Sequence, residues 1–395
     1  MSQFDRRQVL RLFGAVGAAG ATAPALAACS TAGTASPVPA TPVRIGLILP
    51  QTGANKPIGD ELNAGFRLYL KLHGNQLGNR PAQVATLDEG ETADTGRAAV
   101  DRLVKDSVHV LSGIVSSVVM SAIRDQVETA QIPLLGSAAS PSTLGSVKYI
   151  WRTSYVNTDP SAALGGYLAS KTGEPVYVLS DESAAAREQV SGFVTAFNGT
   201  LGHPNLAAAP QQVATGGSFT QAFAAIRSSG ARNVFAVFSG EAAMAFFRAY
   251  RSAGLTPPVY APGFVTESAE ALQRFGEVAM GLYTAMNYGP ALDNAANRMF
   301  VAEYQRTYGN MPSTYAMCSY DAAAVLDKAL TFTSADLSAQ SLNAALSSVG
   351  ELDSPRGAWQ FNQSRTPLQR WYLRQVRRDG KVVDNTVLGD LGMLG

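Results

Sequence analysis

Two cysteines and three histidines among 395 residues leave little from which to build a metal or thiol centre. His73 follows a helical stretch, His109 opens a strand-like run and His203 sits in a loop. No two of them share a helical face, and no Cys or carboxylate cluster has metal-ligand spacing, so neither metal nor cofactor is expected. Charge is scarce as well. Only 15% of residues are charged, 31 basic against 30 acidic, which leaves no electrostatic track for nucleic acid. There is no G-x-S-x-G elbow, no GxxxxGK[ST] loop and no G-x-G-x-x-G after a strand. The acidic pairs Asp88/Glu89 and Asp181/Glu182 stand at strand ends, where loop charge or helix capping accounts for them. An enzyme is not expected. Beyond the N-terminus no run reaches the roughly 20 apolar residues of a membrane span.

What is present begins with "MSQFDRRQVLRLFGAVGAAGATAPALAAC". Its glycine run follows no strand, so it is not a phosphate loop. A basic head at Arg6, Arg7 and Arg11, an apolar stretch and small residues before Cys29 make an export signal over residues 1–28. "LAAC" resembles a bacterial lipobox, which makes Cys29 the lipidation site. "DRRQVLR" resembles a twin-arginine motif, with Asp5 and Val9 departing from it, so twin-arginine export competes with the general route. Residues 29–41 then read as a lipidated tether, too rich in small polar residues and proline to form a core. With Cys29 lipidated, Cys318 stands alone in an alanine-rich helical stretch and reads as buried filler.

From residue 42 short Val/Ile/Leu runs alternate with helical lengths. Strands are expected at 43–50, 82–88, 108–114 and 132–137, with helices at 58–74, 92–106 and 117–130. The rhythm restarts with strands at 174–181, 231–240 and 258–263, and helices at 185–202, 241–255 and 267–279. Continuous apolar runs separated by helices argue for parallel strands buried on both faces, here in two doubly wound α/β lobes. Helices are expected over 291–309 and 313–332, and a closing hairpin that turns at "RDGK".

A binding edge follows from this pattern. In open α/β sheets the ligand crevice lies beyond the carboxyl ends of the strands. Ser116 and Ser117 end one strand and open a helix, where hydroxyls and free N–H groups suit an anion. The loop "GSAAS" (136–140) offers similar groups on the same edge. Tyr155, Phe238, Phe264 and Tyr288 supply aromatic surface near that edge.

"VRIGLILPQTGANKPIGDELNAGFRLYL", with its P-x-T-G loop and G-x-x-x-x-x-G helix, resembles the opening of the leucine/isoleucine/valine-binding family of ABC-transporter receptors. The resemblance continues in the family's order through "GIVSSVVMSAI", "IPLLGSAASPSTL", "YIWRTS", "FFRAYRSAGL", "SYDAAAVLDKAL" and "PRGAWQFN". It implies a type I periplasmic-binding fold: two lobes joined by three crossovers, with the ligand trapped between them by hinge closure. Residues 42–156 plus 288–352 would form the N-terminal lobe, and 157–287 plus 353–395 the C-terminal one. The hinge would lie near 155–158, 286–290 and 351–356. The family's carboxylate-binding loops carry over to Ser117, Ala138, Ala139 and Ser140, with Ser116 adjacent; Tyr155, Phe238 and Phe264 complete the expected ligand-binding set.

The second lobe departs from the family. Ala184, Ala185 and Ala186 stand where many relatives have a tyrosine. Gly263 and Phe264 stand where the amino-acid binders hold an acid for the ligand's ammonium. An ammonium taken out of water needs a compensating charge. Glu241 and Glu267 are near in sequence, and read first as acidic first-turn residues of the helices that follow. The expected ligand is therefore a small carboxylate with an apolar or aromatic body, with a branched-chain amino acid as its competitor. The expected partners are an ABC permease and its ATPase, with the membrane reached through the lipid at Cys29. The expected location is periplasmic or cell-surface. A sensor on the same fold, such as an amide-responsive regulator, is the alternative.

Overall fold

The computed structural model describes residues 41–395 except Pro204, Ser268, Ser334, Ala335 and Lys381. The leader, Cys29 and residues 30–40 lie outside the described residues. The first lobe contains β1 (Val43–Leu49), α1 (Lys56–Leu72), β2 (Gln76–Leu77), β3 (Arg80–Asp88), α2 (Ala93–Lys105), β4 (Val110–Gly113), α3 (Ser117–Ala130), β5 (Leu134–Gly136) and β6 (Ile150–Arg152). Its sheet runs β2-β3-β1-β4-β5-β6, parallel except for the β2/β3 pair. β1 shows why an unbroken apolar run becomes a parallel strand. Val43, Ile45, Leu47 and Leu49 enter one core and Ile48 another, so both faces are covered.

The second lobe follows with α4 (Asp159–Tyr167), β7 (Val176–Asp181), α5 (Ala184–Gly199), β8 (Gln211–Val213), α6 (Thr220–Ser228), β9 (Asn233–Val237), α7 (Gly240–Ser252), β10 (Val259–Pro262), α8 (Ala269–Phe275) and β11 (Tyr283–Met286). The chain returns to the first lobe for α9 (Ala295–Tyr308), α10 (Thr314–Leu330) and α11 (Ala339–Ser347). It ends in the second sheet with β12 (Gln360–Phe361), β13 (Pro367–Asp379) and β14 (Val382–Leu394). That sheet runs β12-β13-β11-β10-β9-β7-β8, with β14 paired to β13. β13 and β14 are the expected hairpin.

In each lobe the parallel strands follow one winding, β3-β1-β4-β5-β6 in the first and β8-β7-β9-β10-β11 in the second. The strand order reverses beside β1/β4 and beside β7/β9, and crevices form at such switch points. The α1 glycine at position 65 marks close packing, since a Cβ there would lie 1.9 Å from the Ala316 carbonyl oxygen in α10.

The three passages between lobes are tied into one buried knot. Arg356 donates through Nε to Asp321 Oδ2 at 2.8 Å, through Nη2 to Thr153 O at 2.6 Å and through Nη1 to Ser154 O at 3.2 Å. Asn287 donates to Ser154 O at 3.1 Å and to Gln369 Oε1 at 2.9 Å. Trp359 Nε1 donates to Asp321 Oδ2 at 2.9 Å. Arg356 and Asp321 are 1% and 2% exposed, so the fold keeps this charge pair dry at the crossovers.

Candidate functional site

Beyond β4 the backbone takes an unusual path. Gly113 has φ 114° and Ile114 has φ 67°. A β-branched residue in the left-handed region is strained and persists only where its surroundings hold it. Ile114 N donates to Ile48 O at 2.9 Å, and Ile114 O accepts from Ala139 N at 2.9 Å. The turn carries Val115, Ser116 and Ser117 past the strand end. Ser116 caps α3, its Oγ accepting from Val119 N at 3.3 Å. Glu89, fully buried, accepts from Val115 N at 2.8 Å and from Ser116 N at 2.6 Å. Burial pushes the Glu89 carboxyl up to about 7 against the lowering effect of those two bonds. The helix start is thus less open than the sequence suggests: the N–H groups of Ser116 and Val119, and that of Val115 just before them, already have partners inside the protein.

The loop after β5 shares this edge. Ser137 N donates to Gly113 O at 2.9 Å, and Ala138 O accepts from Ser154 Oγ at 3.1 Å. Asn157 links the two loops, donating from its backbone N to Ser140 O at 2.9 Å and from Nδ2 to Ser117 Oγ at 3.3 Å. Ala138 and Ala139 are buried, and Ser140 is 0% exposed with no hydrogen-bond partner on its hydroxyl. An unsatisfied buried polar group costs about 1–3 kcal/mol, and native structures keep few of them. Tyr155, also buried, meets Trp371 edge-on at 5.8 Å; the Trp371 indole N–H likewise has no partner. Ser116, Ser117, Ala138, Ala139 and Ser140 are therefore gathered at one edge, while Tyr155 packs with Trp371 in a core cluster of the second sheet.

The second lobe brings a charge pair. Glu267 is 5% exposed and precedes α8, so it is not the exposed first-turn acid that its sequence position suggests. Its Oε1 accepts from Thr314 N at 2.7 Å at the start of α10, and its Oε2 lies 2.7 Å from Arg374 Nη2. Burial raises the Tyr155 and Tyr315 phenols far above their usual range, and the nearby Glu267 charge raises both further. Arg374 also lies under Gly263: a Cβ there would meet Arg374 Nη2 at 2.8 Å and Ala285 O at 2.5 Å. Beside Gly263 this chain thus holds both the Arg374 guanidinium and the buried acid Glu267 that pairs with it. Glu241 is exposed at the start of α7 and pairs with Arg274.

The other two expected aromatic contacts, Phe264 and Phe238, separate. Phe264 is half-buried and lines a cavity of about 190 Å³ with Ala54, Pro57 and Ile58 of the first lobe, Ser239 of the second and Tyr315 of α10. Phe238 instead stacks on Phe246 at 4.8 Å and meets Phe219 edge-on at 5.6 Å, in the core of the second lobe. Its own cavity, about 310 Å³, is lined by Asp181 and Glu241. Glu89, Asn157, Tyr315 and Arg374 were not singled out by sequence. Only Glu89 carried a signal, as half of an acidic pair.

Two doubly wound lobes, with hydroxyls beyond the strand ends of one and a neutralised charge pair beyond those of the other, define a two-lobed solute-binding protein. The comparisons agree. The chain belongs to the periplasmic binding protein family, whose profile matches residues 42–381. It is similar to the Leu/Ile/Val-binding protein homolog 6 of Brucella melitensis, 28% identical over 85% of this chain and 88% of that one. An ABC transporter substrate-binding protein from Sphaerobacter thermophilus has the same fold, with a TM-score of 0.81 and 24% identity over 89% of this chain and 98% of that one. A solute-binding protein of an R. palustris ABC transporter, solved with benzoate, superposes with a TM-score of 0.74. It is 28% identical, covering 89% of this chain and 97% of that one. The family works outside the cytoplasm.

Proposed function

We propose that this protein is an extracytoplasmic lipoprotein, anchored at Cys29, that captures a small carboxylate with an apolar or aromatic body and delivers it to an ABC importer. The carboxylate is held at the edge formed by Ser117 and the 138–140 loop, beside Tyr155, and the body lies toward Phe264. Closure is a hinge motion at the three tied passages, and ligand contacts to both lobes favour the closed state. The observation that carries the ligand class is the Glu267–Arg374 pair, which leaves the buried acid in the loop after β10 already neutralised. The benzoate complex of the R. palustris relative supports the same reading.

The competing ligand is a branched-chain amino acid, favoured by the naming of the Brucella relative. A thermal-shift screen separates the two. Aromatic and aliphatic acids, branched-chain amino acids, dicarboxylates and short amides are compared on the same protein. A ligand at about 100 times its Kd adds roughly 2.7 kcal/mol of stability. Stabilisation by acids and not by amino acids is expected; stabilisation by leucine or valine alone would overturn the ligand assignment.

A further inference from the structure

Where β6 meets the turn between β12 and β13, the surface opens into a cavity of about 500 Å³ that contains none of the residues discussed above as ligand contacts. Two arginines line it. Arg152 is 4% exposed; its Nη2 donates to Ser364 O at 3.0 Å and its backbone N to Arg365 O at 2.9 Å. Arg365 sits over the Trp151 ring at 5.0 Å and donates through Nη1 to Val147 O at 3.1 Å. In both arginines Nε is buried and has no hydrogen-bond partner. Neither guanidinium lies within 4.0 Å of a carboxylate among the described residues.

The charges around the cavity include the carboxylate of Gly395, a residue that lines it together with the two arginines. Asp159 acts on Arg152 electrostatically, but its carboxylate also accepts from Val156 N at 2.9 Å. Glu188 is engaged with Ser142 N on the rim, and Arg124 reaches the rim through Gly145 O at 3.0 Å. Burial lowers the Arg152 pKa to about 10, as expected for a desolvated guanidinium without a close counter-charge. The planar guanidinium fork matches carboxylate and phosphate oxygens side-on.

We infer that this cavity is a second binding site, separate from the interlobe cleft, which takes a small oxyanion against the guanidinium groups of Arg152 and Arg365. Carboxylate, sulfate and phosphate share the required chemistry. The test follows the arginine Nε–Hε resonances of the purified protein by NMR during titration with citrate, sulfate or inorganic phosphate, against chloride at matched ionic strength. At least one oxyanion is expected to move both resonances saturably; citrate alone would mean a carboxylate ligand. A charge-assisted hydrogen bond contributes about 1.5–3 kcal/mol, so Arg365→Gln should weaken binding roughly tenfold or more. Arg365→Lys keeps the charge but loses the fork and should weaken binding too, which guards against a misfolded Gln variant. Shifts no larger than with chloride would overturn the proposal. So would binding that survives both Arg365 variants and is lost in Ser140→Ala, which would place the anion in the cleft.

Discussion

Glu267 and Arg374 meet at 2.7 Å with side chains 4% and 1% exposed, and they come from the loop after β10 and from β13. Breaking a buried pair from one side leaves an uncompensated charge in the interior, at about 3–5 kcal/mol. Arg374→Met and Glu267→Gln should each lower stability by that order, read from the urea midpoint. The double variant should recover part of the loss, because the two effects are coupled. Additive losses would mean that the pair is not a unit.

Ser140 gives the opposite pattern. Its hydroxyl is buried and unpartnered, so Ser140→Ala should leave the ligand-free protein as stable as before, or slightly more so. Loss of a hydrogen bond to a bound carboxylate should weaken acid binding about tenfold. Calorimetric titration together with a melting curve reads both effects.

Glu89 predicts a pH dependence. Its folded pKa, about 7, lies above the ordinary 4.5, so the folded protein binds the proton more tightly than the unfolded chain does. Its contribution to stability is complete below about pH 4.5 and is lost as pH rises through 7, to the extent of roughly 3 kcal/mol. Glu89→Gln should flatten the stability profile across that window. A carboxylate bound nearby would raise the Glu89 pKa further, so acid affinity should increase as pH falls from 8 to 6, with proton uptake on binding. An affinity independent of pH would separate Glu89 from the ligand.

Cys318 should be inert. It is 1% exposed, and burial pushes its thiol up to about 11. At pH 8 only about one thiol in a thousand is ionised. A thiol reagent should label it in denaturant and not in the native protein.

The alternation of apolar runs with helical lengths showed the two windings, because strands buried on both faces need continuous Val, Ile and Leu. β8, only three residues long, and α6 were not legible. A three-residue strand has no measurable period, and α6 follows a glycine-rich stretch without clear patterning. The turn from β4 into α3 was legible because strand-to-helix turns mark themselves with serines. Phe238 was not separable from Phe264, since sequence shows a ring near a strand end and not which way it packs. Glu267 reads locally like any acid opening a helix. What buries it is Arg374, far along the chain, and single-sequence reading has no access to that partner.

The central claim is that the ligand's carboxylate is recognised and an α-ammonium is not. The most direct measurement is calorimetric titration with matched pairs that differ only in that group: 4-methylpentanoate against leucine, and 3-phenylpropanoate against phenylalanine. In at least one pair the acid without the amino group is expected to bind about tenfold tighter or more, since Glu267, the acid on the second-lobe side, is already held by Arg374. Tighter binding of leucine or phenylalanine than of its deaminated partner would contradict it.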